Sequence, residues 1–244
     1  MRRQPKWRSA WSFSRVWGLF YPMPDIPKME SYLARGHAVH EWTQGLDEGL
    51  AVRPPDAYAG YCDAYKNGFC NTFVPSWTHI EQPFDNGQWH GVIDRVGYIR
   101  GHDSLCVADI KTGAGKGKDN KRRIATQLAS YAMGWSPHSY EKVLRIGIFL
   151  MVDGTWRTEV YDDPRDFERW QQLLAEAKRY GKPDKETTED TRKEDGQPRY
   201  GSVECSDNER RYVLSGVRLP EERPDDEEDH HGSLQANQGR DQRE

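Results

Sequence analysis

Two carboxylates sit inside segments that otherwise read as buried β-strands, and this feature constrains the chain more than any other. Gly91-Val92-Ile93-Asp94-Arg95-Val96 and Leu105-Cys106-Val107-Ala108-Asp109-Ile110-Lys111 are apolar and β-branched apart from their charged members. Arg100-Gly101-His102-Asp103 lies between them as a turn, so the two form a hairpin. An unpaired carboxylate is costly in an apolar setting, and a cation removes that cost. Residues two apart on a strand share a face about 6.6 Å apart. Asp109 and Lys111 therefore point to one side, while Ile110 turns into the core with its carbonyl available as an oxygen ligand.

The neighbouring patterns supply a frame for this hairpin. Residues 32–46 and 56–69 are helix-compatible, and residues 79–84 form a strand ahead of the pair at 89–99 and 104–110. A helix follows over 124–135, then a strand at 145–152, a turn at Asp153-Gly154, a partner strand at 156–161, and an amphipathic helix at 164–180 opened by Asp163 and Pro164. This order predicts an α/β fold with a mixed central β-sheet flanked by helices.

From Lys182 onward apolar residues thin out, and a run from Glu221 to Asp229 is almost wholly charged. Residues 1–181 carry 24 basic and 21 acidic groups, net +3, and residues 182–244 carry 11 and 18, net -7. The expectation is a folded domain over 1–181 and a disordered acidic C-terminal tail over 182–244, with a short ordered segment at 212–217. No run of 18 apolar residues occurs, and Ser12, Ser14 and Arg15 interrupt the aromatic N-terminus, so neither a membrane span nor a signal peptide is expected. A cytoplasmic location follows as the default. Cys62, Cys70, Cys106 and Cys205 form no C-x-x-C pair, which speaks for reduced thiols and against a zinc ribbon.

Divalent-metal hydrolysis of a phosphodiester needs hard oxygen ligands, a water and a cation near the developing charge. Asp94, Asp109 and Lys111 are the minimal kit. A D-x-K triplet is common by chance, and the chain holds two decoys. Asp119-Asn120-Lys121 lacks apolar neighbours, and Glu176-Ala177-Lys178 lies on a helix, where residues two apart diverge. Asp109-x-Lys111 differs in combining strand periodicity with a hairpin partner that carries a buried acid. Glu81, before that partner, admits two readings, a third acidic or outer ligand and an exposed strand-end carboxylate.

Gly36-x-x-x-His40, Gly91-x-x-Asp94, Asp109-Ile110-Lys111-Thr112-Gly113 and Gln127-x-x-x-Tyr131, in that order, resemble the successive motifs of the RecB-type branch of the PD-(D/E)XK nuclease superfamily. The resemblance implies a restriction-endonuclease-like core and a metal-dependent DNA nuclease using Mg²⁺ or Mn²⁺. It implies that Asp94 and Asp109 bind the ion, joined by the Ile110 carbonyl of the strand reading, that His40 adds an imidazole ligand, and that Lys111 acts on the attacking water or the phosphorus. Gln127 and Tyr131, one helical turn apart, would orient the site and the DNA. It favours an exonuclease of DNA recombination or repair, including phage-encoded forms acting in a bacterial host cytoplasm, over a site-specific restriction enzyme. The competing expectation is a silent DNA-binding or protein-interaction module that keeps the fold. Taken alone, His40 is a boundary histidine, and Gln127 and Tyr131 are ordinary helix positions.

Three further segments complete the reading. Gly113-Ala114-Gly115-Lys116-Gly117-Lys118 lacks the Ser or Thr of a phosphate-binding loop, so nucleotide binding is not expected. Lys116, Lys118, Lys121, Arg122 and Arg123 instead make a flexible basic loop suited to gripping DNA phosphates, or a solvated turn. Trp7, Trp11, Phe13, Trp17, Phe20 and Tyr21 either stack on unpaired bases or pack on the sheet. Some RecB-type relatives hold an iron–sulfur cluster with three closely spaced late cysteines, but here only Cys205 is late, so no cluster is expected. The acidic tail either competes with DNA for basic groups, recruits a basic partner such as a single-strand annealing protein, or only aids solubility.

Overall fold

Five strands hydrogen-bond in their sequence order, β1 (Ser76–Asp85), β2 (His90–Tyr98), β3 (Cys106–Thr112), β4 (Leu144–Leu150) and β5 (Trp156–Val160). The computed structural model describes residues 7–22 and 27–180, except for the side chain of Tyr180. The expected acidic tail, its 212–217 segment and Cys205 lie outside the described residues. All pairings are antiparallel except β3 with β4, which is parallel and bridged by the crossover helix α5 (Lys118–Trp135). The sheet is therefore mixed, as expected from the element order.

Local chemistry sets the turns. Between β1 and β2, Asp85 accepts from the Gly87 N–H and Asn86 from those of Gln88 and Trp89, with Gly87 at φ 80°. Between β4 and β5, Asp153 accepts from the Thr155 N–H, and Gly154 takes φ 82°. Helix α6 (Arg165–Tyr180) starts where Asp163 accepts the Arg165 N–H at 2.9 Å.

Helices cover both sheet faces. Val107 and Phe149 face one core with Trp11, Phe13, Val16, Leu128 and Trp170, formed by α1 (Phe13–Phe20), α5 and α6. Ala108, Ile110, Ile146, Ile148 and Leu150 face the other, beneath α2 (Met29–Asp47) and a helical segment over 56–73. That segment is not one helix. A 3₁₀ turn (Asp56–Tyr58), α3 (Ala59–Asp63), a π-helical stretch (Ala64–Cys70) and α4 (Asn71–Phe73) follow one another. Gly60 and Gly68 let it approach the Val152 backbone and the Trp156 ring more closely than a Cβ would allow.

One open reading is decided and one expectation is corrected. The aromatic N-terminus contains α1, capped by Ser12, and it buries Trp11, Phe13 and Trp17, so these rings are core and not base-stacking surfaces. Phe20 and Tyr21 pack partly buried against the same core, and Trp7 stacks on His90. The basic loop is mostly helix, because α5 begins at Lys118 and includes Lys121, Arg122 and Arg123. The helix lacks a side-chain cap at Gly117, the usual signal for its start. Among the described residues, no helix is long and apolar enough to cross a membrane.

Candidate active site

The site forms where β2 and β3 part. Their ladder runs from Gly97–Cys106 to Arg95–Ala108, whereas β1–β2 pairing continues to Asp85–His90 and β3–β4 to Thr112–Leu150. Asp94 and Asp109 are the first residues beyond the last rung. The fork leaves the Ile110 backbone without a strand partner on that side. Its N–H donates to Asp94 Oδ2 at 2.7 Å, and its carbonyl accepts from His40 Nε2 at 2.9 Å.

Asp109 is buried, with Lys111 from the same strand face folded onto it. The Lys111 ammonium donates to Oδ1 at 2.8 Å and stands 2.6 Å from Oδ2. Gln127 Nε2 reaches Oδ1 at 3.2 Å and the Tyr131 hydroxyl at 2.8 Å. Burial pushes the Asp109 carboxyl above its ordinary range, against the pull of Lys111, and the nearby Asp94 charge adds to the rise. Asp109 Oδ2 has an ion-pair partner but no well-directed hydrogen bond, and Gln127 Oε1, also buried, has none either. Two buried oxygens of the site therefore keep unused acceptor capacity.

The second half of the site gathers His40, Glu81 and Asp94, whose ligand atoms lie within 4.8 Å of one another. His40 Nδ1 is 3.6 Å from Glu81 Oε1 and 3.7 Å from Asp94 Oδ2. Because Nε2 is used on the Ile110 carbonyl, Nδ1 is the nitrogen directed at the carboxylates. Burial lowers the His40 pKa, but Asp94 and Glu81 outweigh it and raise it to about 9. The Nδ1 edge thus faces two carboxylates, a place where positive charge is stabilised. Oxygens from carboxylates and a carbonyl, plus one imidazole nitrogen, suit a hard divalent ion whose bonds are about 2.0–2.2 Å long. The donor set fits such an ion.

The residues singled out in the sequence divide as follows. Asp94, Asp109, Lys111, Gln127, Tyr131, His40 and Ile110 all meet at the fork. Gly91 joins two of the motifs, since a Cβ there would stand 3.2 Å from the Tyr131 ring. Gly36 has open space around it, so its steric role is not of that kind. His40 bonds the Ile110 carbonyl through Nε2 and faces Glu81 and Asp94 through Nδ1. Among the basic residues, Lys121 pairs with Glu159 at 3.1 Å, and Lys116 and Lys118 are exposed.

The sequence left Glu81 with two readings and did not point to the arginine that supports it. Glu81 lies within β1 and not at a strand end, with a left-handed backbone (φ 47°) that costs of the order of 1–3 kcal/mol outside glycine. Fully buried Arg95 donates to Glu81 Oε1 and to the Asp94 carbonyl. An arginine beside Asp94 in an apolar strand was the one available hint, since a buried guanidinium requires acidic partners.

A family model of the PD-(D/E)XK nuclease superfamily matches residues 68–206, more than half of the chain and including the Asp94, Asp109-x-Lys111 and Gln127 positions. No curated protein sequence matches the chain. With the mixed sheet, the forked strands and the acid, acid and lysine at the fork, the chain belongs to the PD-(D/E)XK nuclease superfamily.

Proposed function

We propose that this chain is a deoxyribonuclease of the RecB type that hydrolyses DNA phosphodiesters with Mg²⁺ or Mn²⁺, acting as an exonuclease in DNA recombination or repair. The observation that carries this reading is the convergence of Asp94, Asp109 and Lys111 at one fork, beside a His40, Glu81 and Asp94 cluster whose ligand atoms lie within 4.8 Å of one another. Asp94 and Asp109 would hold the ion, with the Ile110 carbonyl and His40 beside them. A bound divalent ion supplies Lewis-acid polarisation of the phosphoryl oxygen and acidifies water at neutral pH.

The chain's own groups do the rest. The Lys111 ammonium, held against Asp109 on the same strand face, would act on the attacking water and the negative charge that grows on the phosphate. Gln127 fixes the Asp109 carboxylate and is itself held by Tyr131. Lys116, Lys118, Lys121, Arg122 and Arg123 line the loop and first turns of α5 that follow the Asp109–Lys111 strand, suited to phosphates and carrying no base-reading chemistry. Residues 1–181 would form the nuclease domain and 182–244 an acidic extension, with a basic partner such as an annealing protein as its ligand. A phage-encoded enzyme working in a bacterial cytoplasm fits this assignment.

End-labelled linear DNA and closed circular DNA, incubated with the protein and with Mg²⁺, Mn²⁺ or chelator, test the reading. Metal-dependent release of labelled mononucleotides or short products from linear DNA, with circles spared, is expected. Cleaved circles would make it an endonuclease. Binding without cleavage in either metal would leave the silent module.

A further inference from the structure

Among the described residues, the non-glycine positions with positive φ are Lys28, Val74 and Glu81. Lys28 and Val74 flank helices, where such a conformation is a usual way to start or stop. Glu81 lies inside β1, at the unpaired position between Ile80–Arg95 and Gln82–Ile93. A strand-interior glutamate stays left-handed only where its surroundings hold it there.

Arg95 does the holding. Every nitrogen of its buried guanidinium is committed: Nε donates to Asp47 Oδ2 at 2.7 Å, Nη2 to Thr43 Oγ1 at 3.0 Å, and Nη1 to the Asp94 carbonyl at 2.7 Å and Glu81 Oε1 at 3.1 Å. Thr43 donates in turn to the His40 carbonyl at 3.0 Å, and Asp47 is fixed by the Tyr65 hydroxyl at 2.6 Å. His40, Glu81 and Asp94 come from α2, β1 and β2 respectively. Arg95 bonds to all three elements.

We propose that Arg95 is the positioning residue of the cation site, pinning Glu81 in its left-handed conformation so that this carboxylate becomes a working member of the donor set with Asp94 and His40. The inference rests on the metal-dependent reading above. A purely structural Arg95 would make the same hydrogen bonds without governing metal affinity, and that difference is measurable.

The test is Mn²⁺ titration by calorimetry on the full chain, with melting temperatures measured with and without Mn²⁺. Glu81→Gln keeps an oxygen for Arg95 but removes the charge, and should weaken Mn²⁺ binding by roughly 10–100-fold. Glu81→Gly removes the carboxylate altogether while relieving the left-handed backbone, which offsets part of the lost Arg95 pairing, and should show a similar loss of affinity. Arg95→Lys keeps the charge but cannot span four partners, and should weaken Mn²⁺ binding within the same range. The Arg95→Lys/Glu81→Gln double variant should bind no more weakly than the weaker single variant, because both act through one carboxylate. Unchanged affinity in folded Arg95→Lys with only a lower melting temperature, or near-wild-type affinity in either Glu81 variant, overturns the proposal. If Arg95→Lys does not fold, the two Glu81 variants decide. Loss of Mn²⁺ binding in Asp94→Asn but not in the Glu81 variants overturns this inference alone. Equal Mn²⁺ uptake by wild type and Asp94→Asn would overturn the metal-site reading along with it.

Discussion

Asp94 Oδ2 accepts the Ile110 N–H at 2.7 Å, so a side chain of β2 takes the place that a backbone carbonyl would fill if the two strands stayed paired. This bond couples the fork to its chemistry. It brings one carboxylate against the strand that carries the other, and it leaves the Ile110 carbonyl for His40.

Lys111→Ala should lower single-turnover DNA cleavage by about 10²–10³-fold, the usual loss when one transition-state donor is removed, with little change in DNA affinity. Quench-flow cleavage and fluorescence anisotropy check the two halves. Wild-type cleavage in the variant would remove Lys111 from the mechanism, and a parallel loss of DNA binding would make it a ground-state contact.

Glu159 gathers Lys121, Arg157 and the Tyr161 hydroxyl. Burial alone would raise its carboxyl, but Tyr161 and the two cations outweigh burial and hold it below its ordinary value. A carboxylate lowered by folding adds stability that is complete above the unfolded value of about 4.3 and is lost as pH falls through the folded value. Glu159→Gln should therefore melt a few degrees below wild type at neutral pH, with the gap closing as pH falls below the unfolded value. A gap independent of pH would show that the charge is not the stabilising feature.

The strand pair, the mixed sheet and α6 were legible because each rests on a short local signal: alternation around Asp94 and Asp109, Asp153-Gly154 in a hairpin, and Asp163-Pro164 at a helix start. Helix α1 was not. Its apolar residues Phe13, Val16, Trp17 and Phe20 have helical spacing, but aromatic character alone gave two readings, and only packing on the sheet chooses between them. The start of α5 was missed because no capping side chain marks it. The Glu81–Arg95 pairing depends on two strands in register, with Asp47 and Thr43 brought in by α2, and no local pattern encodes that meeting.

Lys116 and Arg123 carry charge near the proposed path of the DNA backbone. Lys116→Glu and Arg123→Glu should each weaken DNA binding similarly across unrelated sequences and reduce the salt slope by about one. Anisotropy over a salt series measures both. An unchanged slope would make these residues solvated surface charges only.

Removal of residues 182–244 takes away 11 basic and 18 acidic groups, a net -7. If this segment competes with DNA for the basic groups, the truncated protein should bind DNA more tightly at about 50 mM salt, and the gain should shrink as salt rises. Equal affinity of both forms would exclude competition. A truncated protein that fails to fold would move the domain boundary beyond residue 181.

Asp109→Asn tests most directly whether Asp109 serves a metal-dependent hydrolysis, because the amide keeps nearly the same shape while losing the anionic ligand. Wild-type protein should degrade end-labelled linear DNA in Mn²⁺ and leave it intact in chelator, and Asp109→Asn should leave it intact in both while still binding it. Cleavage by the variant at the wild-type rate, or by the wild type in chelator, would contradict the account.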